Sequence, residues 1–278
     1  MCSTCGCSEG AGPKVTNPDK PAMHRESPHA HLHDHDHPHS HEHDHGEGAH
    51  PHSHEYPHAD ADSRTIRLEQ DILAKNNRLA ERNRGWLEGR QIFALNLMSA
   101  PGAGKTTLLE RTIRDLAGTI ALSVIEGDQE TLCDAERIRA AGCKVVQVNT
   151  GTGCHLDAEM VNQALRELDP PGRSIVVIEN VGNLVCPALF DLGEGARAVI
   201  MSVTEGEDKP LKYPHMFRAA NAMILSKVDL LPHLEFDLER SLEYARRVNP
   251  NLTFFQLSAT RSMGLDSWYD WLRSLAGS

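Results

Sequence analysis

The stretch Ser99-Ala-Pro-Gly-Ala-Gly-Lys-Thr-Thr107 follows an apolar run and leads into a helix-like segment. Its spacing is that of G-x-x-x-x-G-K-[ST], with Ser99 in the place of the first glycine. Gly102 and Gly104 let backbone N–H groups curl around phosphate oxygens, where the following helix adds the positive end of its dipole. Lys105 supplies a point charge for the β- and γ-phosphates, and Thr106 a hydroxyl for Mg²⁺. The run Gly102, Ala103, Gly104, Lys105, Thr106 and Thr107 is therefore the expected phosphate-binding set. Ser99 has only to tolerate a tight turn.

Two further strand-like runs end in acids. "IVVIENVG" places Glu179 where a carboxylate can hold Mg²⁺ directly or through water, with Gly182 placed to offer its N–H to a γ-phosphate. "SVIEGDQET" puts Glu126 and Asp128 in an expected loop, a place for a switch that senses that phosphate. Base choice is expected from "ILSKVDLL" and "LSATRS". Asp229 can accept from guanine N1–H and its 2-amino group, whereas adenine would leave a buried carboxylate unpaired. Lys227 can lay its aliphatic stem on the purine face. Ser258 and Ala259 lie where backbone N–H groups can meet guanine O6.

Metal ligands occur in two other places. "MCSTCGC" brings Cys2, Cys5 and Cys7 within six residues, and thiolates with backbone nitrogen suit square-planar Ni²⁺, though Zn²⁺ also binds such sets. Fourteen of the 17 histidines fall between His24 and His58, in an alternation with acids that offers no apolar face and is broken by Pro38. Many weak imidazole sites on such a tether can hold metal at high local concentration. Cys154 and His155 follow one strand-like run and Cys186 another. Three ligands leave a structural zinc site one short, so this group is expected to keep an open position or to share the ion across a dimer.

These residues need a scaffold. Residues 1–61 contain almost no aliphatic side chains and cannot offset their ordering entropy by burial, so they are expected to stay disordered. Residues 62–278 are the length of one α/β domain. An amphipathic helix of about five turns, ending near Gly85 or Gly89, is expected first. Seven short apolar runs then alternate with helix-like segments at 105–118, 131–141, 156–168, 235–247 and 264–275. That alternation predicts a mostly parallel sheet covered by helices on both faces, with ligands beyond the carboxyl ends of its strands. The net charge of −11 argues against a nucleic-acid partner, and no apolar run is long enough to span a membrane. With no secretory h-region and an odd cysteine count, a reducing cytoplasm is expected.

The segments Ser99–Thr107, Glu179–Gly182, Ser226–Asp229 and Ser258–Thr260 resemble the nucleotide motifs of P-loop GTPases of the SIMIBI class. With "MCSTCGC", the histidine tract, "EGDQET", "GTGCHLDA", "NVGNLVCP" and "EGEDKPLKYP", the chain resembles the HypB family, GTPases of nickel insertion into [NiFe] hydrogenase, nearly end to end. The resemblance implies GTP hydrolysis with Lys105, Asp128 and Glu179 in the catalytic roles, and a GTP/GDP and Mg²⁺ requirement. It implies tight nickel binding at Cys2, Cys5 and Cys7, and a nickel or zinc site at Cys154, His155 and Cys186. Expected partners are a second copy in a nucleotide- and metal-dependent homodimer, a second nickel chaperone and the hydrogenase large-subunit precursor. One departure stands out: Ser226 occupies the Asn position of the family's Asn-Lys-x-Asp pattern, removing an amide that braces the base loop. A nickel store with a regulatory nucleotide site, or a related GTPase serving urease or cobalamin enzymes, are the competing functions.

Overall fold

The computed structural model describes residues 14–17, 58–128, 133–151 and 153–277. Cys2, Cys5, Cys7 and the histidine tract before His58 lie outside them, so the expectations placed there stand as made. In chain order the elements are β1 (Lys14–Thr16), α1 (His58–Gly89), β2 (Phe93–Ser99), α2 (Lys105–Asp115), β3 (Leu122–Asp128) and α3 (Cys133–Ala140). Next come β4 (Lys144–Asn149), α4 (Ala158–Leu168), β5 (Ile175–Glu179), β6 (Ala196–Ser202), α5 (Lys209–Lys212) and α6 (Pro214–Ala219). β7 (Ala222–Ser226), α7 (Leu238–Val248), β8 (Thr253–Gln256) and α8 (Leu265–Ala276) complete the fold.

One eight-stranded sheet runs β1-β4-β3-β5-β2-β6-β7-β8, parallel throughout except for β1. The expected fold class is observed. Near-continuous apolar strands are what such a sheet requires, and β5 and β7 are buried at every position. Successive side chains point to opposite faces. Leu95, Leu97, Val124, Val177 and Ile224 meet Leu108, Ile113, Ile138 and Trp268 on one face. Ile125, Val146 and Ile178 meet Leu87, Val161 and Leu165 on the other, where Met98, Val199 and Met223 pack with Met216, Phe217 and Leu252.

Four differences from expectation have plain causes. α1 begins at His58 and has 32 residues, about nine turns; Asn76 and Asn83, in its second half, tie it to the start of α4 and to the Asp191–Gly193 loop, contacts that its own periodicity does not reveal. Lys14–Thr16, inside the part expected to stay unfolded, pairs antiparallel with Gln147–Asn149, and Val15 packs on the core. Three residues are too few to show an alternation. The short helices α5 and α6 were not expected, since each is shorter than a full hydrophobic repeat. Glu126 and Asp128 lie on β3 and not in a loop: their backbones pair with Gln147 and Asn149 of β4. No helix among the described residues is long and apolar enough to cross a membrane.

Candidate functional site

The strand order reverses around β2, which β5 and β6 flank, and chemistry in open parallel sheets collects at the carboxyl edge of such a point. A cleft of about 550 Å³ opens there, lined by the Pro101–Thr107 turn, Glu126, Asp128, Glu179, Gly182 and Lys227. Gly102 and Gly104 have φ of 74° and 95°, a left-handed backbone that turns the chain into α2 and that glycine adopts without strain. Gly182 closes on this turn: a Cβ there would sit 3.1 Å from Pro101 Cα. Ser99 does more than tolerate the turn. It is fully buried, and its Oγ accepts from Lys105 Nζ at 2.8 Å, so the serine holds the lysine at the head of the cradle.

Below the cradle lies a dense group of acids. Thr106 Oγ1 donates to Glu179 Oε1 at 2.7 Å, while Glu179 Oε2 is buried without a partner among the described residues. A hydroxyl and an orphaned carboxylate oxygen side by side form a hard oxygen donor set, and the residues present fit Mg²⁺. Glu126 is the β3 neighbour of Glu179 across the ladder, and its Oε2 is likewise unpartnered. Burial, and then the charges of Glu179 and Asp128, push the Glu126 carboxyl up to about 9. Burial also raises Glu179, against the attraction of Lys105, and lowers Lys105, against the pull of Glu179. Burial thus disfavours the charged forms of all three groups that line the floor of the cleft.

Where base recognition was expected, Ser226 Oγ donates to the Ala103 carbonyl at 2.7 Å and Lys227 Nζ to the Gly102 carbonyl at 2.8 Å. Both therefore brace the phosphate turn directly. Asp229 stands at the start of the 3-10 helix Val228–His233, and Val228 N–H donates to the Leu257 carbonyl at 3.3 Å, which joins this end to the Ser258–Ala259 turn. Ser258 is buried, and its N–H donates to the Met263 carbonyl at 3.0 Å. The N–H expected from it is thus already engaged within its own turn.

The three expected metal ligands converge. Cys154 Sγ, a ring nitrogen of His155 and Cys186 Sγ all lie within 4.8 Å of one another. Cys154 Sγ is 2.9 Å from Cys186 Sγ and 3.6 Å from His155 Nδ1. Burial holds the imidazole below its ordinary pKa, opposed by Asp157, which favours the neutral form that ligates. Two thiolates and an imidazole suit Ni²⁺ or Zn²⁺ and leave a coordination position open. Cys154 also lines the nucleotide cleft. Cys133, on the surface, and Cys143, buried and pushed up to about 12 by its burial, stand apart.

Sequence reasoning missed Phe190, whose ring stacks on His155 at 3.9 Å between centroids. It missed Asn96 and Asn180 too, both buried among apolar strands. An amide inside "FALNLMS" is the signal that could have found the first.

Sheet order, phosphate turn and acid-tipped β5 define a P-loop nucleotide-binding protein of the α/β class. Residues 93–256 match the family model described as CobW/HypB/UreG, nucleotide-binding domain. The chain is 56% identical over 217 residues to the hydrogenase maturation factor HypB of Azotobacter vinelandii, covering 78% of this chain and 72% of that one. The crystal structure of HypB from Archaeoglobus fulgidus superposes with a TM-score of 0.69 at 40% identity, covering 73% of this chain and all (100%) of that one. HypB from Helicobacter pylori in complex with nickel gives a TM-score of 0.68 at 36% identity, over 73% and 95% of the two chains. The chain belongs to the CobW/HypB/UreG family, among its HypB hydrogenase maturation GTPases.

Proposed function

We propose that the protein is a GTP-hydrolysing nickel metallochaperone that stores Ni²⁺ and delivers it to the [NiFe] hydrogenase large-subunit precursor. The observation that carries this reading is the position of Cys154, which lines the nucleotide cleft and belongs to the Cys154–His155–Cys186 cluster. A nucleotide and a soft metal ion would be held at one sheet edge, on loops that share β5.

In this reading Gly102–Thr107 bind the phosphates, and Lys105 leaves Ser99 for the β- and γ-oxygens. Thr106 and Glu179 would hold Mg²⁺, which when bound would supply charge neutralisation at the phosphate oxygens. Asp128 orients the attacking water, and Gly182 N–H marks the presence of the γ-phosphate. Lys227, Asp229 and Ala259 receive guanine. Cys186 follows Gly182 by four residues, so the loop that meets the γ-phosphate also moves a metal ligand. GTP then favours a homodimer that brings two copies of the cluster together, and loss of the γ-phosphate releases nickel to a second chaperone or to the precursor. Cys2, Cys5, Cys7 and the histidine tract supply the store, and the work is done in the cytoplasm.

Nickel affinity measured with GDP and with a non-hydrolysable GTP analogue, alongside GTP turnover, tests this. Turnover abolished by Lys105→Ala and a several-fold difference in nickel affinity are expected, since couplings of this kind are typically about 1–3 kcal/mol. Turnover that survives Lys105→Ala, or equal affinities, would sink it.

A further inference from the structure

Asn180 stands between the nucleotide and metal halves of the cleft. It directly follows Glu179, precedes Val181 and Gly182, and is 1% exposed. Its Oδ1 accepts from two backbone groups, Val181 N–H at 3.0 Å and Leu156 N–H at 3.2 Å. Leu156 is the residue after His155. One oxygen thus ties the start of the Gly182 loop to the loop that carries the imidazole.

The other end of the same amide opens a second connection. Asn180 Nδ2 donates to Asn96 Oδ1 at 3.3 Å, and Asn96 Nδ2 donates to Glu194 Oε1 at 3.1 Å. Arg197 Nε donates to that same oxygen at 2.6 Å, and its two remaining nitrogens reach the carbonyls of Ala188 and Phe190, each at 3.3 Å. Phe190 carries the ring stacked on His155. Both connections from Asn180 therefore end on one imidazole, one through the backbone behind it and one through the ring against its face. Asn96, Asn180 and Glu194 are all buried, so these bonds have no water to replace a lost partner.

We propose that Asn180 is a positioning residue that sets His155 according to the nucleotide bound, a second route beside the one from Gly182 to Cys186. The assignment rests on the coupled GTPase and nickel reading above. When a γ-phosphate draws the Gly182 N–H, the Val181–Gly182 peptide turns, and the rotation passes through Val181 Cα to the preceding peptide, which carries the Val181 N–H. Asn180 Oδ1 is shared with Leu156, so it follows the one group or releases the other. Either response changes how far the imidazole reaches toward Cys154 and Cys186.

The test uses the full chain with Cys2, Cys5 and Cys7 replaced by serine, so that nickel–thiolate charge-transfer absorbance reports the remaining site; the histidine tract gives no such band. Nickel affinity is titrated with GDP and with a non-hydrolysable GTP analogue, and the ratio is compared in Asn180→Ala. The expected result is a several-fold ratio that falls toward unity in Asn180→Ala, and no further fall when Asn180→Ala is added to His155→Ala. That second arm is a double-mutant cycle, which a general loss of stability would not satisfy. A parent ratio of one overturns the coupling reading and this assignment with it. A parent ratio above one that Asn180→Ala leaves unchanged overturns the assignment alone. Should Asn180→Ala fail to fold, Asn96→Ala, which opens only the longer connection, decides: a reduced ratio supports the assignment and an unchanged one overturns it.

Discussion

Ser226 Oγ lies 2.7 Å from the carbonyl oxygen of Ala103 and donates to it, joining the end of β7 to the middle of the phosphate turn. The serine that departs from the family's Asn-Lys-x-Asp pattern still braces the turn, through a hydroxyl in place of an amide. Lys227 adds a second tie one residue away, to Gly102. Ser226→Ala removes the first tie and leaves a carbonyl unpaired in a buried place. The expected cost is about 1 kcal/mol, roughly a fivefold loss of GDP affinity by calorimetry. Ser226→Asn should bind at least as well as the natural chain. Equal GDP affinity in all three proteins would show that the bond holds nothing up.

Glu126 makes the empty protein sensitive to alkali. Its carboxyl is pushed up to about 9 by burial and by Glu179 and Asp128, whereas the unfolded chain gives it an ordinary value near 4.5. Between those values the folded state keeps a proton that the unfolded state releases, so stability falls as pH rises from about 5 to about 9. Above that window both states are ionised and the decline ends. In chelator and without nucleotide, urea midpoints should drop across the window, as the unfolding free energy falls by at most about 1.4 kcal/mol per pH unit. Glu126→Gln keeps the volume and removes the titration, so its midpoints should be flatter. Parallel declines in both proteins would mean that Glu126 is already ionised when folded.

The site was legible because parallel strands end on one sheet edge. Cys154 and Cys186 are 32 positions apart, yet each follows a strand, and neighbourhood at the edge follows from that. The phosphate turn was legible because its glycines and lysine must occur at fixed spacing. What sequence did not reveal is polar and buried. Asn96 and Asn180 read as exceptions in apolar runs, and only three-dimensional closure shows that one bonds the other. Glu126 reads as a solvated loop acid, and only its pairing within β3 puts it out of reach of water. Phe190 belongs to no motif, because a stacking partner can come from any element that passes the ring.

Gly193 sets how closely the loop after Cys186 approaches α1. Its φ is +89°, and a Cβ there would meet Ala80 O at 2.5 Å and Asn83 Cβ at 2.7 Å. The neighbours cannot retreat easily. Asn76 Nδ2 donates to the Asp191 carbonyl at 2.7 Å, and Asn83 Nδ2 to the Leu192 carbonyl at 3.0 Å. Gly193→Ala combines a strained backbone with overpacking and should cost about 3 kcal/mol, or roughly 6–12 °C in Tm. Thermal unfolding measures this directly. A shift smaller than about 2 °C would mean that the loop moves away from the helix at little cost.

Asp229 offers the sharpest test of base choice. A carboxylate can accept from both guanine N1–H and the 2-amino group, which is the pairing proposed for the start of the Val228–His233 helix. Asp229→Asn replaces one acceptor by an amide donor. Facing guanine, that donor meets the 2-amino group, itself a donor, and a buried pair of hydrogens goes unsatisfied. Facing xanthine, whose C2 carries an oxygen, the same amide finds an acceptor while its carbonyl still takes N1–H. GDP affinity should fall by about 2 kcal/mol, roughly thirtyfold, and xanthosine diphosphate affinity should rise above that of the natural chain. Competition against a fluorescent nucleotide reads both quantities on one sample. Loss of guanine with no gain for xanthine would place Asp229 in the structure of the turn rather than in contact with the base. Unchanged affinity for both would remove it from the site.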